Sequence, residues 1–294
     1  MSFKDFDGAL PLAQHAVVLD GKNSDYHLTL GKVYGELAAR ASMFSAGMLA
    51  IKFRKEVEMA LQLYPGNLDA LDAMMMFKFQ APRLMGGDKD EANALAEKIT
   101  LLNPSEGWLA HAELAELQNS PAQMAAFYSK AVRADPRNYA ALTALARFYS
   151  QSPGANYDEA TKQAESALRL DTGRVEAHWV LARVFARQQR WADLDETLAD
   201  SERTVPDDLR PFYEAAQEML DIGQDLLRAE KYARKYLSQE PEGDEPDLAE
   251  AHRLLGLLLA GEGRRDQARA EIQTALRIRP DFKAAKDDLR RLGG

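Results

Sequence analysis

The sequence predicts an all-α solenoid, a stack of antiparallel helix pairs, on three observations. The clearest pair lies in residues 249–280, where two helical patterns of about a dozen residues flank a turn at residues 261–264. Residues that close such pairs recur at steps of 32 to 44 along the chain: Gly21, Pro65, Pro104, Pro136, Thr172, Pro206, Pro241 and Pro280. No segment has the alternation of a convincing strand. Because each pair contacts only its neighbours, the array escapes the usual limit on domain length.

Taken in order, the elements divide the chain into three parts. Residues 1–23 hold one orphan helix, predicted at residues 10–19, which is an N-terminal cap or a partial repeat. Residues 24–281 hold about seven helix pairs, which begin near residues 24, 68, 107, 139, 175, 209 and 249. The first pair is about ten residues longer than the rest, and the second carries an insertion at residues 80–89. Residues 282–294 form a polar capping helix, and the total is about sixteen helices.

The order of small and apolar residues in the last pair carries a family resemblance. On its first helix Leu255-Gly256 is followed by Leu259, and its second helix has small and apolar positions before a closing proline: Ala268, Ile272, Ala275 and Pro280. This order resembles the tetratricopeptide repeat, a unit of 34 residues with the pattern W-x2-L-G-x2-Y…A-x3-F…P. In this chain His252 stands where the family has Trp.

The resemblance covers residues 8–290 and implies a right-handed superhelix whose first helices line a concave groove. Residues 40–89 are similar to a bacterial type of this family, which carries an Ala-Pro-x-x-x-Gly-Gly-Asp-Lys insertion. Many bacterial members look exported. The resemblance therefore leaves the compartment open: a soluble protein of the cytoplasm, or of the periplasm if a signal peptide has been removed.

Composition narrows the possible functions. The formal net charge of −9 disfavours nucleic-acid binding, which draws on clustered Lys and Arg. The absence of cysteine excludes disulfides, thiolate metal sites and a cysteine nucleophile. No run approaches the roughly eighteen apolar residues of a membrane span. The G-x-S-x-G, H-E-x-x-H and Gly-rich nucleotide motifs are also missing. We therefore expect neither an enzyme nor a cofactor.

Three histidines suggest a metal site, but the pattern favours a structural role. His27, His178 and His252 all occupy position 4 of a first helix, so they recur because the repeat recurs. They belong to the first, fifth and seventh units, and a metal needs three or four convergent ligands. We expect each to be a half-buried packing residue with one polar tip.

Two further segments have alternative interpretations. The insertion at residues 86–91 precedes a helix N-terminus, as a phosphate-binding turn does, but Asp88 and Glu91 match a capping box and would repel phosphate. Capping is the preferred interpretation, although residues 81–85 could form a rim that touches a partner. The run Met74-Met75-Met76 favours core packing over an adaptable binding surface.

The predicted binding site follows from the family's geometry, in which positions 2, 5, 9, 12 and 13 of the first helices face the groove. Those positions hold aromatic and basic side chains: Trp108, His111, Arg147, Trp179, Arg183, Arg187, Arg210, Tyr213 and Arg253. Trp179, Arg183 and Arg187 are four apart and share one helix face. Trp, Tyr and Arg commonly anchor interfaces, and Arg binds carboxylates in a bidentate manner. The alternative is exposed surface with a displaced register in the third unit.

We therefore predict a non-catalytic scaffold or adaptor. Its partner would be a peptide or protein segment that carries acidic groups or a C-terminal carboxylate. A self-assembling array, in which the helix at residues 10–19 accepts a second chain, is an alternative. An enzyme with an unrecognised pocket is a weaker one, because it needs converging carboxylates or histidines.

Overall fold

The computed structural model describes residues 6–151, 154–241 and 246–293, and in these ranges it contains sixteen α-helices and no strand. The chain divides into two compact units, Met1–Ala141 and Leu142–Gly294. No described helix combines the length and the apolar character needed to cross a membrane.

The first unit is built from seven helices and the start of an eighth. They are α1 (Phe6–Leu19), α2 (Ser24–Arg40), α3 (Met43–Leu63), α4 (Leu68–Gln80), α5 (Lys89–Leu102), α6 (Pro104–Leu117), α7 (Pro121–Ala134) and α8 (Tyr139–Gln151). A single 3-10 turn, Arg83–Met85, lies in the predicted insertion between α4 and α5. Helices α2 and α3 are the longest, as the extra residues in the first pair predict.

The second unit continues α8 and adds eight further helices. They are α9 (Tyr157–Leu168), α10 (Val175–Arg187), α11 (Trp191–Thr204), α12 (Arg210–Ile222), α13 (Leu226–Tyr236), α14 (Leu248–Gly261), α15 (Arg265–Ile278) and α16 (Lys283–Gly293). Helix α10 packs against α9, α11 and α12. A site could therefore form where it meets α12, or where it meets α9 and α11.

Among the described residues, the same tight turn joins the two helices of four pairs. In each, a residue with left-handed backbone follows the first helix: Asn119 (φ 52°), Gln189 (φ 56°), Gly223 (φ 64°) and Gly263 (φ 80°). The next residue donates its N–H to a carbonyl five residues earlier, as Arg264 does to Leu259 at 2.9 Å. This is the Schellman end of a helix, and it sets the tight reversal that the sequence predicted at residues 261–264.

Close contact within a pair depends on glycine where the pattern predicts it. A Cβ atom added to Gly256 would lie 2.6 Å from Cγ1 of Ile272 on the partner helix. The small residue therefore lets α14 and α15 approach, and Ala268 and Ala275 on α15 are buried beside it. The predicted pairing of these positions across the turn is confirmed.

Polar contacts at the helix starts fix the alignment of the first and third pairs. Ser24 Oγ donates to the carbonyl of Ala60 at 3.0 Å and accepts from Asn67 Nδ2 at 2.8 Å. Ser105 makes the same two contacts in the third pair: its Oγ donates to the carbonyl of Ala131 and accepts from Asn138 Nδ2, both at 3.0 Å. Ser105 is therefore equivalent to Ser24.

Candidate functional site

Three of the predicted arginines, Arg183, Arg187 and Arg210, lie where α10 meets α12. Arg183 and Arg187 on α10 face the carboxylates of Glu214 and Glu218 on α12. We call these four side chains, together with Arg210, the Arg–Glu cluster. Arg183 Nη1 lies 3.3 Å from Glu214 Oε2, and its Nε lies 3.1 Å from Glu218 Oε2. Arg187 Nε lies 2.9 Å from Glu218 Oε1, and Arg210 Nε lies 3.3 Å from Glu214 Oε1.

The cluster is not the uncompensated basic surface that the sequence suggested. The side chain of Glu218 is only 6% exposed, whereas that of Arg187 is 42% exposed. Burial raises the pKa of Glu218 above its ordinary value, although Arg183 and Arg187 oppose the shift. The hydrogen bond to Tyr157 raises the pKa of Arg187. Three guanidinium groups therefore face two carboxylates, which leaves one formal positive charge.

Sequence reasoning missed both glutamates, although the sequence contained a signal. Arg210, Glu214 and Glu218 are spaced four apart and therefore lie along one face of α12. On this helix Arg210 and Tyr213 were predicted to contact a partner, and neither glutamate was. The spacing matches that of Arg183 and Arg187 on α10, so two helices with such rows can form a continuous series of ion pairs.

The predicted aromatic residues of this region are packed and do not form an open surface. Trp179 is buried, and the guanidinium carbon of Arg210 lies 4.7 Å from the centre of its ring. The ring of Tyr213 lies 5.3 Å from that of Tyr236, and burial raises the pKa of the Tyr213 hydroxyl. These rings therefore stabilise the packing of α10, α12 and α13 and offer little surface to a ligand.

Trp108 and His111 belong to a different side of their repeat. Both rings stack on Phe127 of α7, at 5.8 and 5.4 Å between centroids, and Lys130 Nζ lies 4.1 Å from the centre of the Trp108 ring. Because Ser105 is equivalent to Ser24, Trp108 occupies the position 4 of His27. The predicted register of the third unit was therefore displaced by two residues, and these two side chains contact the second helix of their own pair.

The remaining two predicted arginines differ in their surroundings. Arg253 is committed to the last helix, since its Nε lies 2.6 Å from Asp288 Oδ2 and its guanidinium lies over the ring of Phe282. Arg147 on α8 is exposed, and its guanidinium has no ion pair within the described ranges. Of the predicted arginines, Arg147 and Arg187 are thus the most accessible to a partner.

The position-4 histidines make contacts within the protein. His27 Nδ1 lies 2.6 Å from Glu56 Oε2, and His252 Nδ1 lies 2.7 Å from Glu271 Oε2. His178 is completely buried. In the part of the chain that the structure describes, no three His, Asp or Glu side chains are grouped as a metal site requires.

The insertion between α4 and α5 caps a helix, as predicted, but only half of the capping box forms. Asp88 Oδ1 accepts the N–H groups of Asp90 and Glu91 at 2.9 and 3.1 Å, and these two bonds lower the pKa of Asp88. The N–H of Asp88 donates to the carbonyl of Lys78 at 2.7 Å, so the Glu91 side chain does not return to it. Glu91 Oε2 lies instead 2.7 Å from Lys78 Nζ.

An apolar cavity of about 430 Å³ lies beside this insertion in the first unit. Ala81, Pro82 and Met85 of the predicted rim line it, together with Met76 and Phe77 of α4. Met74 and Met75 are buried in the core, so the methionine run serves packing at two positions and borders the cavity at the third.

Comparison with known proteins supports the fold. No protein-family model matches the sequence, and no curated protein matches it. A tetratricopeptide repeat protein from Parabacteroides merdae is 15% identical with a TM-score of 0.58, and the alignment covers 90% of this chain and 99% of that one. Yeast Tom70 is 17% identical with a TM-score of 0.62, over 92% of this chain and 56% of Tom70.

One chain of the APC/C hetero-tetramer Cut9–Hcn1 is 14% identical with a TM-score of 0.57, over 98% of this chain and 52% of that one. This protein therefore spans just over half the length of the last two chains. At these identities the likeness concerns the fold alone. The described chain has the all-α solenoid fold of tetratricopeptide repeat proteins, as the sequence predicts.

Proposed function

We propose that this protein is a non-catalytic interaction scaffold that binds an acidic segment, or a C-terminal carboxylate, of a partner protein at the exposed edge of the Arg–Glu cluster. The observation that carries the proposal is the bonding of Arg187. Its contacts with Glu218 at 2.9 Å and with the Tyr157 hydroxyl at 3.3 Å both involve Nε, and its Nη1 and Nη2 groups make no hydrogen bond with the described residues. Those two groups can bind a carboxylate from outside.

The charge of the cluster supports an anionic ligand. One formal positive charge remains after Glu214 and Glu218 are counted, and the exposed guanidinium of Arg147 lies on another first helix of the same unit. A ligand carboxylate would share Arg187 with Glu218, and the two negative charges would compete for one guanidinium. The affinity of the site is thus limited by a residue of the protein itself.

This competition gives a two-sided test. The probe is a fluorescein-labelled octaglutamate peptide with a free C-terminal carboxylate, and binding is followed by fluorescence anisotropy at low salt. Glu218→Gln removes the competing charge and should strengthen binding about three- to tenfold. Arg187→Lys keeps the charge but loses the Nη pair and should weaken binding by a similar factor.

The matched control is Glu36→Gln, which removes an exposed carboxylate of α2 in the other unit. It changes the net charge as Glu218→Gln does and should leave the affinity unchanged. Octaglutamate with a C-terminal amide shows whether the terminal carboxylate contributes to the affinity. An octaglutamine peptide shows whether the side-chain charges contribute to it. Equal affinity of the wild type, Glu218→Gln and Arg187→Lys for octaglutamate would exclude the cluster as the binding site.

The names of the similar structures are consistent with a scaffold, since Cut9–Hcn1 is a hetero-tetramer of the APC/C. The insertion at residues 81–89 supports assignment to the bacterial type of repeat protein, which we propose on its Ala-Pro-x-x-x-Gly-Gly-Asp-Lys sequence.

Self-association through α1 is a second candidate, and one observation favours it. Helix α1 packs against α2 through Ala13, but Leu12, Val18 and Leu19 are exposed on its other side, and Val18 is 80% exposed. Such an apolar face can be covered by a second copy. Sedimentation velocity over a range of concentrations should then show a dimer that Val18→Glu abolishes, and a monomer at the highest concentration would remove this candidate.

A further inference from the structure

The pairing of position 4 with the second helix differs in the fifth repeat. In the first and seventh repeats, a position-4 histidine faces a glutamate: His27 faces Glu56, and His252 faces Glu271. His178 lies 74 residues before His252, its equivalent in the seventh repeat. Thr197 lies 74 residues before Glu271, so it occupies the position of that glutamate. The fifth repeat therefore has the histidine without its carboxylate.

The hydrogen bonds of His178 fix which ring nitrogen carries the proton. Its Nε2 lies 3.1 Å from the carbonyl oxygen of Thr172, which can only accept. Nε2 also lies 3.3 Å from Thr204 Oγ1, whose own hydrogen is donated to the carbonyl of Asp200 at 2.9 Å. Nε2 is thus the donor, so Nδ1 is an acceptor whenever the ring carries a single proton. His178 is 0% exposed, and Nδ1 has no hydrogen-bond partner within the described ranges.

A buried acceptor without a donor is costly, and the residue that carries it here lines a cavity. A cavity of about 540 Å³ lies between α9, α10 and α11 in the second unit, and both His178 and Thr197 line it. Its inner wall also includes Leu168, Leu181 and Phe185. The space is large enough for a short aliphatic chain.

Four acidic side chains line this cavity. Two of the four acidic side chains that line it are neutralised, because Arg190 pairs with Asp193 and Arg203 pairs with Asp200. The other two, Glu165 and Glu196, are exposed and have no ion-pair partner in the part of the chain that the structure describes. The cavity therefore combines apolar walls, two available negative charges and one buried acceptor.

We propose that this cavity binds a primary alkylammonium group. Its N–H groups would donate to Nδ1 of His178, the unpaired carboxylates of Glu165 and Glu196 would attract its positive charge, and its carbon chain would lie against the apolar wall. An anion would be repelled by the two carboxylates, and a metal ion would lack its ligand set, since no three His, Asp or Glu side chains among the described residues are grouped as a metal site requires. The ligand could be a lysine side chain of a protein or a free aliphatic amine. The site is separate from the Arg–Glu cluster and does not depend on the function proposed for it.

The test uses the full chain labelled with ¹⁵N-histidine, whose five histidines report on their ring nitrogens by NMR. The probe is n-butylamine, added at pH 8, and the matched anion is butyrate at equal ionic strength. The Nδ1 signal of His178 should shift saturably with the amine and not with butyrate, while His27 and His252 stay unchanged because their Nδ1 atoms face glutamates.

Three variants test the residues of the site. Glu165→Gln and Glu196→Gln should each weaken amine binding about three- to fivefold, as expected for exposed charges, and Glu36→Gln should not change it. Thr197→Glu restores the carboxylate found in the other two repeats and should abolish binding. If Thr197→Glu does not fold, as judged by circular dichroism, the two glutamine variants and butyrate decide the question.

Two further probes distinguish the sources of the amine. If Nα-acetyl-lysine methylamide binds more tightly than 1,5-diaminopentane, the natural ligand is a lysine side chain. If 1,5-diaminopentane binds more tightly, because its second ammonium can reach the second carboxylate, the natural ligand is a free amine. The proposal is overturned if n-butylamine does not move the Nδ1 signal of His178, which would mean that the cavity holds only water. It is also overturned if butyrate moves the signal as the amine does, or if Glu165→Gln and Glu196→Gln bind the amine as tightly as the wild type.

Discussion

Arg187 Nε on α10 lies 2.9 Å from Glu218 Oε1 on α12, and these residues are 31 positions apart in the sequence. The contact joins the first helices of two successive repeats. Because Arg183 and Arg187 are spaced like Glu214 and Glu218, the two rows of charges align across the junction. The same side chains that a groove would offer to a partner therefore also hold neighbouring repeats together.

Removing Arg183 should destabilise the second unit. It contacts both Glu214 and Glu218, which are largely buried, so Arg183→Met would leave two poorly compensated carboxylates. Breaking a buried pair costs several kcal/mol, and partial exposure of the guanidinium reduces this to about 2 kcal/mol. Urea unfolding followed by circular dichroism should show the loss. The control Arg147→Met removes an exposed, unpaired guanidinium and should stay within about 0.5 kcal/mol.

Stability should depend on pH through Glu218. Its pKa is raised in the folded protein above the ordinary 4.5, so the folded state holds this proton more tightly than the unfolded state. That contribution to stability is present below pH 4.5 and is lost as the pH rises through the folded pKa. The wild type should therefore lose stability relative to Glu218→Gln as the pH rises above 4.5. Urea midpoints of both proteins between pH 4.5 and 7.5 measure this difference, and a constant difference would contradict it.

Trp108 should contribute to stability, because it packs inside the third repeat. Its ring stacks on Phe127 and lies beneath Lys130. Trp108→Ala should lower the free energy of unfolding by about 3 kcal/mol, a typical value for loss of a large packed ring. Trp108→Phe keeps an aromatic ring over Phe127 and should cost less than half as much. If Trp108→Ala unfolds at the same urea concentration as the wild type, the ring is a surface residue.

Two glycines should respond in opposite ways to the same substitution. A Cβ at Gly256 would lie 2.6 Å from Ile272 Cγ1, so Gly256→Ala should destabilise by about 1–3 kcal/mol through overpacking. A Cβ at Gly47 in α3 would meet only Met85 Cε, at 3.6 Å. Gly47→Ala should therefore be neutral or stabilising by up to about 1 kcal/mol, the helix-propensity gain of alanine. Thermal melting of both variants checks the contrast.

Repeat architecture was predictable because its signals are local. Helix pairs, the tight turn after residue 261 and the close approach at Gly256 all follow from spacing within one unit. The candidate site was less predictable. The third unit lacks the pattern that sets the register, so Trp108 was assigned to the wrong side, and only the shared contacts of Ser24 and Ser105 revealed the alignment.

The sequence by itself determined that this protein is a stack of helix pairs, because the apolar periodicity and the small residues that specify a pair all lie within one repeat. Only the tertiary structure decided that Glu218 compensates Arg187 and that Nδ1 of His178 lacks the glutamate its equivalents have. Such features depend on which residues meet across two packed helices. Those residues are about twenty to thirty positions apart, and no periodicity within one helix specifies their partner.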